Sequence, residues 1–112
     1  MKNGSYAAIP GKIPGTPINL GGVEYILAPL NLDQVRKFES VLPTLGQKET
    51  LGENITESLP VIHASLSRNY PDITLEQVSG LIDLGNLQAA CLAVISISGY
   101  EKSAGEPAPA SP

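Results

Sequence analysis

Apolar residues recur along this chain with two different periods. Between residues 17 and 27 they alternate: Ile18 and Leu20 flank Asn19, while Val23, Tyr25 and Leu27 flank Glu24 and, less cleanly, Ile26. A period of two puts every second side chain on one face of a strand. Gly21-Gly22 sits between the two runs. A Gly-Gly pair supplies the positive φ angles of a tight turn, so the segment predicts a short β-hairpin. A lone hairpin is marginal in water and must pack on something.

From residue 31 the period becomes helical. Asn31 and Gln34 have the spacing of a reciprocal N-terminal cap. Leu32, Val35, Phe38 and Leu42 follow on one side, and Asp33, Arg36, Lys37 and Glu39 on the other. Pro43 closes this first helix, because the residue before a proline avoids the α region. Leu45 to Gly52 reads as a connection. A second helix is predicted over about residues 53–69, with Ile55, Leu59, Ile62 and Leu66 as its apolar stripe. Pro60 interrupts this run. It either kinks the helix or opens a new one, where its missing N–H costs nothing. The second is the expectation, with Ser58 or Leu59 in the cap region. Tyr70-Pro71 ends the segment.

Thr74 and Gln77 repeat the capping spacing and predict a third helix carrying Leu75, Val78, Leu81 and Ile82. Leu81 and Ile82 are expected to be buried under the helix that follows, and Gly85 to end the third helix in the left-handed region. Asn86 is then the expected cap of a fourth helix, Leu87 to Ser98, stopped by Gly99. This last helix has almost no polar side. Such a helix is either buried in its own domain or docked on a partner. Its outer side, assigned to Leu92 and Ile97, is a candidate partner-binding surface.

The expected fold is mainly α: a small bundle of about four helices with a short N-terminal β-hairpin and flexible termini. Residues 1–15, rich in Gly and Pro, form the expected arm; residues 16–100 the single domain; residues 101–112, rich in Pro and Ala, the expected disordered tail. A chain of 112 residues suffices for one core. With no Trp and one Phe, that core must be aliphatic. Charged residues make up 16%, below ordinary usage, which leaves neutral or apolar surface and favours a partner or self-association. The net charge of −4 and the scattered Lys and Arg argue against nucleic acid. No apolar run is long enough to cross a membrane. A single cysteine rules out an intrachain disulfide framework and makes a reducing cytoplasm the simplest compartment.

The residues that could carry chemistry have bland readings. His63 and Cys91 are each the only one of their kind, and nothing in the sequence places them together. One His and one Cys cannot close a zinc site. Cys91 lies among aliphatics, the common state of a free core thiol. Glu49, Glu53 and Glu57 share a helical face, expected to be solvated. Gly21-Gly22 lacks the Lys and Ser/Thr of a phosphate loop. Asp83-Leu84-Gly85 is similar to the segment before the prosthetic-group serine of acyl carrier proteins. Here Asn86 and Leu87 follow with no serine in place, so the group has no attachment point. No catalytic residue, cofactor or metal is expected, and the chain is not expected to be an enzyme. Arg68-Asn69-Tyr70-Pro71-Asp72 is the polar knot of the sequence. It reads as a helix end followed by a turn, or as a docking corner with Arg68 and Tyr70 as anchors.

The segment "VIHASLSRNYPDITLEQVSGLIDLGNL", residues 61–87, with the apolar helix beyond it, resembles the tail assembly chaperones of long-tailed bacteriophages. The resemblance implies a small helical, non-enzymatic protein made in the cytoplasm of the bacterial host. Such a protein holds the tape-measure protein soluble, helps recruit tail-tube subunits, and is absent from the mature virion. It implies no catalytic residues. The alternatives are another phage structural or head–tail adaptor protein and, further off, an acyl-carrier-like protein.

Overall fold

A computed structural model describes residues 11–99. Most of the N-terminal arm and the whole Pro/Ala-rich tail lie outside the described residues. Within them the chain is a helix-rich domain with one antiparallel hairpin. The order is β1 (Thr16–Leu20), β2 (Val23–Leu27), α1 (Leu32–Lys37), a 3₁₀ turn (Leu42–Thr44), α2 (Leu51–Ser67), α3 (Leu75–Leu81) and α4 (Leu87–Ile97). The long α2 is the centre. Helices α3 and α4 pack on it, and α2 and α4 together cover the hairpin.

The hairpin pairs Leu20 with Val23 and Thr16 with Leu27 across the Gly21-Gly22 turn, whose φ angles are +62° and +87°. Both angles lie where a side chain is strained, so the two glycines fit this turn. Pro17 stands opposite Ile26. The N–H and C=O of Ile26 point away from β1, to Tyr70 and Asn69. Pro17, with no N–H to give, therefore occupies a pair that asks for none. Ile26 is buried at the end of β2, on the opposite face from Leu27. That is why the alternation of β2 reads poorly in sequence.

Two of the expected caps form. Asn31 with Gln34, and Thr74 with Gln77, each exchange both bonds of a capping box. Gly99, at φ +75°, follows the end of α4. Other expectations are corrected. Helix α2 begins at Leu51, capped by the Thr50 hydroxyl on the N–H of Glu53. It runs unbroken through Pro60. A proline inside a helix costs about 3 kcal/mol. Here the helix is held on both sides of it, because Ser58, Val61, Ile62 and Ser65 are all buried. Ser58 is a core residue rather than a cap: its hydroxyl accepts a hydrogen bond from the Cys91 thiol.

Helix α3 stops at Leu81, with Ile82 in extended conformation, so Gly85 ends nothing. Asn86 is the N-cap residue of α4, as expected, but its side chain makes no cap bond to the helix. The Asp83 carboxylate accepts from the N–H of Asn86, and the Asn86 side chain accepts from the N–H of Asp83. Leu87 N–H already donates to the Asp83 carbonyl. Asn86 is thus the reciprocal partner in a box opened by Asp83. Leu81 and Ile82 are only half-buried; Val78 is the α3 side chain that reaches the interior. A seven-residue helix lying on α2 can point few positions inward, and Val78 takes the central one.

The ordered fold reaches back into the expected arm. Asn69, 5% exposed, receives the Ile13 N–H at 2.6 Å and donates to the carbonyls of Ile13 and Ile26 at 3.0 and 3.2 Å. Gly15 lies against β2 so closely that a Cβ there would run into the Leu27 carbonyl oxygen. Three further side chains hold the link after β2. Ser65 donates to Ala28 O, Arg68 to Pro29 O, and Ser98 accepts from Leu30 N–H.

Replacing Asn69 with Ala should therefore destabilise the fold by about 1–3 kcal/mol, because it leaves buried backbone groups unpaired. Urea denaturation reads this as a lower midpoint at unchanged slope. A loss below about 0.5 kcal/mol would mean that water takes over the amide's bonds. Gly80→Ala should act the other way. Gly80 is exposed in α3 and an added Cβ meets nothing within 4 Å. The expected gain is about 0.5–1 kcal/mol from helix propensity alone.

Candidate partner-binding surface

Helix α4 presents two different sides. Leu87, Ala90, Cys91 and Val94 are buried, so one side fills the core. Leu92 points outward and is 53% exposed, while Ile97 is half-buried. Of the two residues assigned to the outer side, Leu92 stands clear of the fold and Ile97 lies at its edge.

Arg68 and Tyr70 are engaged within the chain. Arg68 holds the Pro29 carbonyl at 2.8 Å. The Tyr70 hydroxyl accepts from Ile26 N–H at 2.9 Å. Its ring meets Tyr25 edge-on at 5.2 Å between centroids, and the Lys12 ammonium lies 4.9 Å from its centre. Both residues remain partly exposed. Beside them an open depression of about 470 Å³ runs along Tyr25, Tyr70, Ile73 and Leu81, with Asp72 and Gln77 at its polar side.

A second depression, of about 380 Å³, is more apolar in its walls. Ile55 and Leu59 of α2 form one wall; Ile82, Leu84 and Leu87 form the other, with Ser79 and, as the one charged lining residue among those described, Asp83. Its origin lies in the stripe of α2. Leu51, Ile55, Leu59, Ile62 and Leu66 share one side of the helix. Ile62 and Leu66 are fully buried, Leu59 is half-buried, Ile55 is 36% exposed and Leu51 49%. The stripe that builds the core thus continues past it, uncovered. Sequence spacing identified four of these residues as a stripe but gave no sign of where the cover ends.

The remaining reactive side chains have local partners. Nε2 of His63 lies 3.0 Å from the Ile73 carbonyl and ties α2 to the approach to α3. Lys48 pairs with Glu57 at 3.6 Å, while Glu49 and Glu53 are exposed. His63 and Cys91 share no contact in a common site: Cys91 bonds Ser58 inside the core. Among the described residues no group of three or more His, Cys, Asp or Glu could hold a metal ion, and no helix is long and apolar enough to cross a membrane. Burial pushes the Cys91 thiol up, and the hydrogen bond to Ser58 offsets part of that rise. The thiol is therefore neutral at pH 7, and a neutral buried thiol is a poor nucleophile. A disulfide reagent should leave Cys91 unlabelled in the folded chain and modify it only as the chain unfolds. Rapid stoichiometric labelling under native conditions would show that α4 opens.

No protein-family model, no curated protein and no solved structure matches this chain.

Proposed function

We propose that this protein is a non-enzymatic phage tail assembly chaperone. It binds the tape-measure protein, keeps that long helical polypeptide soluble, and helps bring tail-tube subunits to it in the cytoplasm of the infected bacterium. The supporting observation is where the apolar surface lies. Leu92 on α4 stands 53% exposed, in a chain with only 16% charged residues. Exposed apolar side chains on helices suit the capture of apolar helical segments by groove packing. The likeness of residues 61–87 to tail chaperones gives that capture its context.

The test is coexpression with a phage tape-measure protein. The chain should co-purify with that protein and hold it in solution. Leu92→Asp should reduce recovery of the complex by more than about tenfold, the scale of a lost apolar anchor. Circular dichroism should show the variant folded, because Leu92 lies outside the core. Ile97→Asp is a less clean probe, since its half-burial couples binding to stability. No interaction by the unaltered chain would overturn the reading. Detection of the chain in purified virions by mass spectrometry would favour a structural or adaptor protein instead.

A further inference from the structure

We infer that the groove between the front of α2 and the α3–α4 corner is a separate docking site, and that its occupant is an amphipathic helix of another protein with basic residues flanking its apolar face. The groove's chemistry is the same whether or not the chain serves tail assembly. The apolar part follows from the α2 stripe. Ile55 and Leu59 continue the line of Ile62 and Leu66, so the groove is an extension of the core that lacks its last covering helix. Leu84, 73% exposed, projects on the opposite wall. An i, i+4 row facing a second apolar wall accepts a helix laid along it.

The basic part follows from charge. Asp83 lines the groove, and Glu76 stands one helical turn before Ser79 on α3; both are exposed. No cation lines it. The described basic residues are placed elsewhere. Lys12 lies over Tyr70, Arg68 on Pro29, Lys48 beside Glu57, and Arg36 and Lys37 in the last turn of α1. A partner with acidic flanks would meet the Asp83 carboxylate in the groove and Glu76 beside it, with no compensating charge among the described lining residues, whereas lysine or arginine flanks would be drawn in. Leu92 follows Leu87 by five positions and faces away from this groove, being exposed where Leu87 is buried. The two surfaces are therefore separable by mutation.

The experiment uses the full chain and two synthetic helical peptides with the same leucine face, one flanked by lysines and one by glutamates. Fluorescence anisotropy should show the lysine peptide binding at least about tenfold tighter than the glutamate peptide. Leu84→Asp should weaken the lysine peptide by a similar factor, and Glu76→Gln should narrow the difference between the peptides. Leu84 is the first variant to use because its exposure leaves the fold intact; Ile55→Asp, checked by circular dichroism, is the second. Equal binding of the two peptides, binding of neither, or full binding by folded Leu84→Asp and Ile55→Asp variants would overturn the inference. So would a concentration-dependent dimer dissolved by Leu84→Asp, which would assign the groove to a second copy. Binding seen only after removal of residues 1–10 or 100–112 would assign it to the chain's own ends, and would equally overturn it.

Discussion

The fold depends on the polar end of α2. A two-stranded ribbon leaves one edge of each strand without a partner, and a buried edge must find its hydrogen bonds elsewhere. Here they come from side chains in the last turn of α2 and just beyond it. Asn69 closes on Ile13 and Ile26, Tyr70 takes the Ile26 N–H, Arg68 holds Pro29 and Ser65 holds Ala28. Ile26 is 1% exposed and Ala28 is fully buried, so water cannot supply these bonds instead. The hairpin can pack against the helices because α2 ends in residues that satisfy it.

That arrangement has a consequence for recognition. Arg and Tyr at a helix end are favoured interface residues, but these two are anchored to their own backbone. A partner engaging Arg68 or Tyr70 would act on side chains already positioned, at the margin of a structural joint. The apolar faces are different. Leu92 and the front of α2 contribute nothing that the interior needs, so they can bind without loosening the fold. Stability and binding thus occupy different parts of α2: from Ser58 onward it is core and joint, and its first two turns are surface.

What the sequence made legible was local. The capping boxes at Asn31 and Thr74 need only residues three apart, and the Gly-Gly turn and the stop at Gly99 need only a backbone preference. What it hid depended on distant partners. Ser58 looks like a helix start before a proline, yet Cys91, far along the chain, supplies the thiol that makes it a core residue. Ser65 is buried because Ala28 offers a carbonyl. Pro60 remains helical because tertiary packing outweighs a local penalty. Asn86 carried a cap signal that was right in position, but its side chain turns back to Asp83 and Leu81 instead of bonding the helix. For the candidate surface, Leu92 was readable as the outer side of α4. The groove was not, since no periodicity shows where a stripe loses its cover.

The exposed half of that stripe exceeds what the interior requires. A line running only from Leu59 to Leu66 would serve the core. Continuing it through Ile55 and Leu51 exposes apolar surface without adding an interior contact for either residue. Thr50 nevertheless caps this front portion, Asn54 bonds both backbone groups of Lys48, and Lys48 pairs with Glu57. The segment is thus held rigid from its polar side while its apolar side stays open. A rigid helix with an open apolar side loses little conformational entropy when a partner covers it, which is the advantage of a preorganised docking surface over one that must fold to bind.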